Sequence, residues 1–157
     1  MEKMDDIDRL ILSSLQEDGR TPFTQVAKKA GVSEGTIRAR YRNLVEGGLV
    51  RTVSIVNPFA LDLQAPAILA VKTEPGKVDQ VAKAMAELPE IAYLVMTLGS
   101  FDLIVEVYCK DMAHLTNLVT RQIQCIPGVR STETLMIANI RKLSYRWSPV
   151  FEGEELD

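Results

Sequence analysis

Apolar residues in the first fifty positions recur every three or four residues, which is the spacing of one face of an α-helix. In "DDIDRLILSSLQED" that face contains Ile7, Leu10, Ile11 and Leu15. Asp5 is a suitable N-cap, and Gly19 is a suitable stop. The pattern predicts a first helix inside this block.

Two further helical blocks are joined by the short segment Gly31-Val32-Ser33. Thr21-Pro22 predicts the start of the second helix, because proline is tolerated at the first helical position. Its apolar face contains Phe23, Val26, Ala27 and Ala30. Ser33 is a suitable cap for the third helix, whose predicted inward residues are Ile37, Tyr41, Leu44 and Val45 before Gly47-Gly48. Two helices joined by so tight a turn predict a helix-turn-helix.

The rest of the chain changes to a mixed pattern. "LVRTVSIVNP" alternates apolar and polar residues and predicts a strand that leaves the helical unit. Beyond it we predict strands over 66–74, 91–99, 101–109 and 131–143, with helices over 77–88 and 111–126. This order is that of the ferredoxin-like βαββαβ fold. The predicted fold class is α+β, with a helix-turn-helix domain (1–50), a strand and linker (51–64) and a ferredoxin-like domain (65–157).

Composition places the chain among ordinary globular proteins, with 46% hydrophobic and 25% charged residues. No run approaches the roughly 18 apolar residues of a membrane span. The N-terminus has acidic residues where a signal peptide has basic ones, so we expect a cytoplasmic protein. The uncovered face of the predicted sheet is apolar enough for us to expect dimerisation.

The net charge of −3 conceals a basic segment. Between Gly19 and Arg51 only Glu34 and Glu46 oppose the basic side chains of Arg20, Lys28, Lys29, Arg38, Arg40, Arg42 and Arg51. Such asymmetry along a chain points to a nucleic-acid partner, although alternate arginines on a helix also occur as an ordinary solvated face.

Candidate chemistry for catalysis is scarce. Cys109 and Cys125 have no metal-like spacing, and His114 is the single histidine, so we expect neither a metal site nor acid–base catalysis. No GxGxxG or Walker sequence is present, so no nucleotide cofactor is implied. We expect a protein that is not an enzyme and has no cofactor.

The segment "DDIDRLILSSLQEDGRTPFTQVAKKAGVSEGTIRARYRNLVEGGLV" resembles the DNA-binding domain of the leucine-responsive regulator/asparagine regulator (Lrp/AsnC, feast/famine) family. The resemblance extends over essentially the whole chain. It implies a sequence-specific transcriptional regulator whose ferredoxin-like domains form dimers, which assemble into tetramers or octamers. It also implies a small-molecule effector, usually an amino acid, bound between dimers.

For the effector site, the family's Gly-x-x-Asp turn matches Gly99, Ser100 and Asp102, and its Thr-x-Thr pattern matches Thr132 and Thr134. Leu98 departs from the family, in which threonine often precedes the glycine, and this leaves one hydroxyl fewer for a polar ligand. The alternative interpretation of these residues is structural, because tight turns favour glycine and aspartate and strands favour threonine.

For DNA binding, side chains near the N-terminus of the recognition helix contact base edges in helix-turn-helix complexes. The candidates are Ser33, Glu34, Thr36 and Arg38, with Arg42 further along the helix. The candidates for phosphate contact are Arg20, Lys28, Lys29, Arg40 and Arg51. A two-fold symmetric dimer predicts a pseudo-palindromic double-stranded target.

Two other functions fit the same architecture. Sirohaem decarboxylase subunits resemble it but are expected to need ionisable groups, especially histidines, and this chain has only His114. A ligand-binding module with a decayed DNA-binding half is opposed by the intact positions Ala27, Ile37 and Leu44 and by the arginines.

Overall fold

The computed structural model describes residues 4–144, which fall into two compact units. One unit contains residues 4–55 together with 142–144, and the other contains residues 56–141. The division therefore falls inside the linker predicted over 51–64. The range predicted for the second domain ran to residue 157, whereas residues 142–144 group with the first unit and 145–157 lie outside the described residues.

The first unit contains three helices, as the hydrophobic pattern predicts. They are α1 (Asp6–Glu17), α2 (Phe23–Ala30) and α3 (Glu34–Glu46). Their shared core contains Ile11, Leu12, Val26, Ala27, Ile37 and Leu44. The prediction that Val45 points inward is wrong, since its side chain is 43% exposed. Successive helical residues point about 100° apart, and Leu44 already occupies the inward direction.

Local sequence sets where these helices begin and end. Asp5 Oδ1 accepts hydrogen bonds from the backbone N–H groups of Ile7 and Asp8, each at 3.0 Å. Ser33 Oγ accepts from the N–H of Thr36 at 3.1 Å. Gly31 has a left-handed φ of 66°, which costs glycine little and disfavours other residues. The predicted caps and the predicted glycine turn are confirmed.

The strand predicted to leave the helical unit is not formed: residues 50–57 have no regular secondary structure. A strand needs a neighbour to satisfy its backbone hydrogen bonds. The sheet of the described chain contains four other strands, which pair among themselves. Val53, Ile55 and Val56 are consequently 57–60% exposed. A 3-10 turn at Pro58–Leu61 follows.

The second unit is built on one antiparallel sheet with the strand order β2-β3-β1-β4. Its strands are β1 (Ala65–Thr73), β2 (Ile91–Met96), β3 (Leu103–Cys109) and β4 (Val129–Met136). Helix α4 (Val78–Ala86) lies between β1 and β2 along the chain, and α5 (Met112–Asn117) follows β3. Beyond α5 come one π turn (Leu118–Gln122) and one 3-10 turn (Ile123–Cys125). The predicted α+β class and the βαββαβ order are confirmed.

The last strand is shorter than predicted, because it ends at Met136 rather than at residue 143. Met136 pairs with Ala67, and the N–H of Ile137 still reaches the carbonyl of Pro66 at 3.1 Å. Since β1 begins at Ala65, the chain beyond Ile137 has no partner strand to continue the ladder.

The two faces of the sheet differ in their packing. The face that contains Leu69 and Val105 packs into the core with the helices. On the opposite face, Ile68 pairs in register with both Glu106 and Leu135. Leu135 is 51% exposed and Tyr93 is 56% exposed. This uncovered face is the apolar surface that the sequence predicts.

The longest described helix, α3, has 13 residues. None of the helices within residues 4–144 combines the length and the hydropathy of a membrane span.

Candidate nucleic-acid interface and ligand site

The N-terminus of α3 is organised by a pair of hydroxyl groups. Ser33 Oγ lies 2.9 Å from Thr36 Oγ1 and also accepts from the Thr36 N–H. The turn before it is closed by the N–H of Val32, which donates to the Ala27 carbonyl at 3.1 Å. These contacts fix the start of α3, whose first N–H groups have no acceptor within the helix.

The guanidinium group of Arg38 is held from two sides. Its Nε donates to Glu34 Oε1 at 2.7 Å, and its Nη2 lies 2.5 Å from the same oxygen. Its Cζ lies 5.5 Å from the centroid of the Phe23 ring, within cation–π range. The side chain is nevertheless 66% exposed. An exposed i,i+4 ion pair adds only about 0.3–0.5 kcal/mol, so its main effect here is orientation of the guanidinium.

Phe23 is itself packed against α3. The rings of Phe23 and Tyr41 lie 5.1 Å apart at an angle of 54°, and the Tyr41 hydroxyl lies 2.9 Å from Thr52 Oγ1. The sequence pattern identifies Phe23 and Tyr41 only as core residues. The partial exposure of both rings, which periodicity does not report, distinguishes them from the buried core.

Arg40 has surroundings that the sequence analysis did not anticipate. Its Nη1 lies 2.6 Å from Asp5 Oδ2 and 3.1 Å from Asp8 Oδ1, and its side chain is 33% exposed. It therefore links α3 to the N-terminus of α1. The predicted phosphate contact of Arg40 has no support in this geometry, because both carboxylates lie on the α1 side of the helix.

The other predicted basic residues lie on the surface. Among residues 4–144 no ion pair is formed by the exposed side chains of Arg20, Lys28, Lys29, Arg42 and Arg51. Their charges are available to an external anion.

The turn between β2 and β3 contains three of the predicted effector residues. Asp102 Oδ2 accepts from the N–H of Thr73 at 2.7 Å and from its hydroxyl at 3.1 Å. The Thr97 hydroxyl closes the turn on the Phe101 carbonyl at 2.6 Å. Gly99 and Ser100 are exposed at its tip. Asp102 thus has a structural role, because its hydrogen bonds with Thr73 connect the start of β3 to the end of β1.

Thr132 and Thr134 lie near the same end of the sheet but across β1. Thr132 pairs with Val71 and accepts a hydrogen bond from Gln124 Nε2 at 2.8 Å. Thr134 is exposed on β4, an edge strand. Since adjacent strands are about 4.8 Å apart, β3 and β4 are separated by roughly 10 Å across β1. One chain therefore places the predicted effector residues as two groups rather than as one enclosed pocket.

A polar cluster that sequence reasoning missed lies at the opposite end of the sheet. The Lys110 N–H donates to His114 Nδ1 at 3.3 Å, so Nε2 carries the proton and donates to Glu90 Oε1 at 3.0 Å. Burial, together with the charges of Glu90 and Asp111, raises the pKa of the Cys109 thiol to about 11. Among residues 4–144 no group of three histidine, cysteine or acidic side chains is placed to hold a metal ion.

Two protein-family models match the chain. The AsnC-type helix-turn-helix domain matches residues 4–45, and the Lrp/AsnC ligand binding domain matches residues 66–147.

Curated relatives resemble nearly the whole chain. An uncharacterized HTH-type transcriptional regulator of Pyrococcus horikoshii is 36% identical over 144 residues, which are 91% of each chain. The HTH-type transcriptional regulator FL11 of the same organism is 35% identical over 140 residues, or 88% of this chain and 92% of that protein.

Solved structures share the fold. E. coli AsnC superimposes with a TM-score of 0.81 at 25% identity, with 90% of this chain and 96% of that chain covered. A transcriptional regulator of Neisseria meningitidis in complex with L-Met has a TM-score of 0.82 at 20% identity, with 91% and 95% covered. At that identity the second likeness concerns the fold alone.

Proposed function

Because this chain belongs to the Lrp/AsnC family of DNA-binding transcriptional regulators, we propose that Arg38 is its principal base-reading side chain. The observation that carries the proposal is the two-sided support of an exposed guanidinium by Glu34 and Phe23. In helix-turn-helix complexes the N-terminal residues of the recognition helix contact base edges in the major groove. In this chain α3 is that helix.

The chemistry of the supported guanidinium suits guanine. Nε and one hydrogen of Nη2 are directed to Glu34 Oε1, so Nη1 and the rest of Nη2 remain as an outward fork. Such a fork pairs bidentately with O6 and N7 of guanine. A carboxylate can also accept a hydrogen bond from the amino group of cytosine. Because Glu34 already accepts from Arg38, we assign it the role of orienting that guanidinium instead.

The remaining candidates divide by position. Arg20, Lys28, Lys29 and Arg51 are exposed cations suited to phosphates, and Arg42 extends the exposed charge along α3. Ser33 and Thr36 stay candidates for contact at the N-terminus of α3, since each hydroxyl retains hydrogen-bonding capacity beyond these contacts, whichever of the two donates. Arg40 is assigned to the support of α1, because two aspartates already engage it.

The proposed assembly is a homodimer that uses the uncovered sheet face and residues 50–57. Both surfaces expose apolar side chains, including Leu135 and Ile55. A second copy would supply the neighbouring strand that residues 50–57 lack. A two-fold dimer presents two α3 helices to a pseudo-palindrome with half-sites one helical turn, or a multiple of it, apart. Further assembly of dimers gives the proposed tetramer or octamer.

The proposed effector is an amino acid or related small molecule at the Gly99–Asp102 turn and Thr132–Thr134. The Neisseria meningitidis regulator of the same fold was solved with L-Met. Since one chain leaves the two groups of residues apart, we propose that a second dimer completes the site. Effector binding then shifts assembly only through different affinities for the assembled states. The comparisons favour neither the tetrapyrrole enzyme nor the decayed module, since the relatives are named as transcriptional regulators.

The test is selection from a pool of DNA duplexes at two salt concentrations, with wild type and Arg38→Ala. A bidentate arginine–guanine contact contributes about 1–3 kcal/mol of discrimination. We therefore expect Arg38→Ala to lose about five- to 150-fold of base preference at one position of each half-site. Lys28→Ala is the control that removes one exposed charge. It should weaken all sequences alike and lower the salt slope by about one.

Wild-type protein that enriches no pseudo-palindrome would contradict the proposed target. A base preference that Arg38→Ala leaves unchanged would show that the arginine belongs to a solvated face.

A further inference from the structure

We propose that Phe23 and Tyr41 are positioning residues that connect Thr52 to Arg38, so that the hydroxyl contact at Thr52 contributes to base selectivity. This inference rests on the proposed function, because it requires Arg38 to read a base.

The first step concerns the freedom of Arg38. Its side chain is 66% exposed, and an exposed arginine samples many rotamers, which must be restricted before its fork can match a base. Glu34 restrains one edge of the guanidinium, and the Phe23 ring lies against it 5.5 Å from Cζ. The carboxylate is on the same helix, whereas the ring belongs to α2. The direction of the fork therefore depends on where α2 holds Phe23.

The second step concerns the position of Phe23. Phe23 is the first residue of α2, and its backbone N–H therefore has no acceptor within the helix. Its ring lies 5.1 Å from that of Tyr41 in a tilted arrangement, a favourable geometry for two aromatic side chains. Tyr41 and Arg38 are both on α3, and Phe23 of α2 contacts both of them. The position of the Phe23 ring beside Arg38 therefore depends on its contact with Tyr41.

The third step leads out of the helices. The Tyr41 hydroxyl lies 2.9 Å from Thr52 Oγ1, and Thr52 belongs to the irregular segment 50–57. Thr52 also lines a cleft of about 200 Å³ together with Leu15, Gly19, Arg20, Thr21, Phe23 and Tyr41. A Cβ built on Gly19 would lie 3.7 Å from Thr52 Cγ2, an ordinary van der Waals distance, so the threonine methyl group lies against this end of α1.

These contacts form one continuous series inside the first unit: Thr52, Tyr41, Phe23, Arg38 and Glu34. Thr52 is the member whose backbone has no regular secondary structure. It follows that displacement of residues 50–57 breaks the hydroxyl contact first, releases the Tyr41 ring and loosens the support of Arg38. Base selectivity is then lost, while the phosphate contacts proposed for Lys28 and Lys29 on α2 remain.

The test is a double-mutant cycle in the full chain, with Tyr41→Phe, Thr52→Val and the pair together. Each change removes one hydroxyl group and keeps nearly the same shape. A hydrogen bond of ordinary strength corresponds to about a threefold to tenfold effect. We expect each single variant to lower the ratio of specific to non-specific DNA affinity by that factor, and the double variant to lower it no further.

Three further measurements separate positioning from a general loss of structure. The salt slope of binding should stay at the wild-type value, because no phosphate contact is removed. Ser54→Ala removes a hydroxyl from the same segment that has no partner among residues 4–144. It keeps the backbone groups proposed to pair with a second copy, and so should leave the ratio unchanged. Phe23→Leu should relax base preference at the DNA position that Arg38→Ala affects. Phe23→Tyr keeps the aromatic ring and should retain the wild-type preference there.

The inference is overturned if Arg38→Ala relaxes base preference but Tyr41→Phe and Thr52→Val do not. It is also overturned if the two single effects simply add. If Arg38→Ala itself leaves base preference intact, the base-reading assignment fails and the inference fails with it. The two kinds of failure are thus distinguished in one set of variants.

Discussion

At the scale of single residues, three arginines at alternate positions of α3 have different surroundings. Arg38 is exposed and supported by Glu34, Arg42 is exposed without an ion pair among residues 4–144, and Arg40 engages two aspartates. Helical geometry places successive members of the series about 200° apart. The spacing therefore separates Arg40 from the other two, but the presence of Asp5 and Asp8 opposite it is a property of the packed helices.

The ion pair between Arg40 and Asp5, the N-cap of α1, should make the stability of the protein depend on pH. The N–H of Asp8, which donates to the Asp5 carboxylate, and the Arg40 guanidinium hold the pKa of Asp5 below its ordinary value of 3.8. The ionised carboxylate consequently stabilises the folded state above about pH 3.8, and this contribution is lost as the pH falls through the folded-state pKa. We expect Asp5→Asn to lower the urea midpoint at pH 7 and to have little effect at the acid limit.

Asp6→Asn is the matched control, since Asp6 is exposed in the same first turn and forms no ion pair among residues 4–144. Its effect should be smaller than that of Asp5→Asn at pH 7. Equal effects of the two variants at every pH would mean that net charge, and not the contact of Asp5 with Arg40, is responsible.

At the scale of elements, the turn between α2 and α3 depends on one backbone conformation. Gly31 has φ 66°, where an L-residue is disfavoured by about 1–2 kcal/mol. We expect Gly31→Ala to lower the free energy of unfolding by about this amount, although a Cβ there would meet no atom within 4 Å. The measurement is urea denaturation followed by far-ultraviolet circular dichroism.

Gly35→Ala provides a control of opposite sign. Gly35 lies in the first turn of α3, where a Cβ would find Ser33 Oγ at an ordinary 3.7 Å. Alanine in a helix is favoured over glycine by about 0.5–1 kcal/mol. A loss of stability of equal size in both variants would exclude the left-handed φ as the cause.

The same scale shows where local patterns mislead. Alternation in residues 50–57 predicts a strand, but a strand forms only where a neighbour completes its hydrogen bonds, and the described chain supplies none. Likewise β4 ends at Met136 because β1 begins at Ala65. Alternation of apolar and polar residues identifies a segment that suits a strand. The ends of that strand depend on the length of the strand with which it pairs.

At the scale of the whole molecule, acidic composition and DNA binding are compatible because charge is unevenly distributed. Most exposed cations of the first unit come from residues 20–51, while the remainder of the chain carries most of the acidic side chains. The sheet adds the second large feature, an uncovered face on which Ile68, Leu135 and Tyr93 lie.

If that face is the dimer interface, Leu135→Glu should reduce the molecular mass seen by sedimentation equilibrium. The substitution places a charge where a second copy would exclude water, and burial of an unpaired charge is costly. Met112→Glu is the matched control, since Met112 is 56% exposed on α5 and Leu135 is 51% exposed on β4. A mass unchanged by Leu135→Glu, or reduced equally by both, would contradict the interface.

Much of the architecture follows from local order in the chain. Three helices, their caps at Asp5 and Ser33, the glycine turn and the βαββαβ order follow from periodicity and capping. These features depend on neighbours within a few residues, which is the information that a linear pattern contains. Two single positions lie at the limit of such patterns, because adjacent residues on a helix differ only in angle. Leu12 is buried although the predicted face of the first helix omits it, and Val45 is exposed although it is predicted to point inward.

Pairings between distant residues required the folded chain. Arg40 with Asp5, Tyr41 with Thr52, Phe23 with Arg38 and Asp102 with Thr73 are separated by 11 to 35 positions along the sequence. No period of hydrophobicity or charge specifies which distant side chains meet, since that depends on how the helices cross and how the strands align. Composition and motif therefore indicate a DNA-binding regulator, while packing decides which arginine is oriented toward solvent and which one holds two helices together.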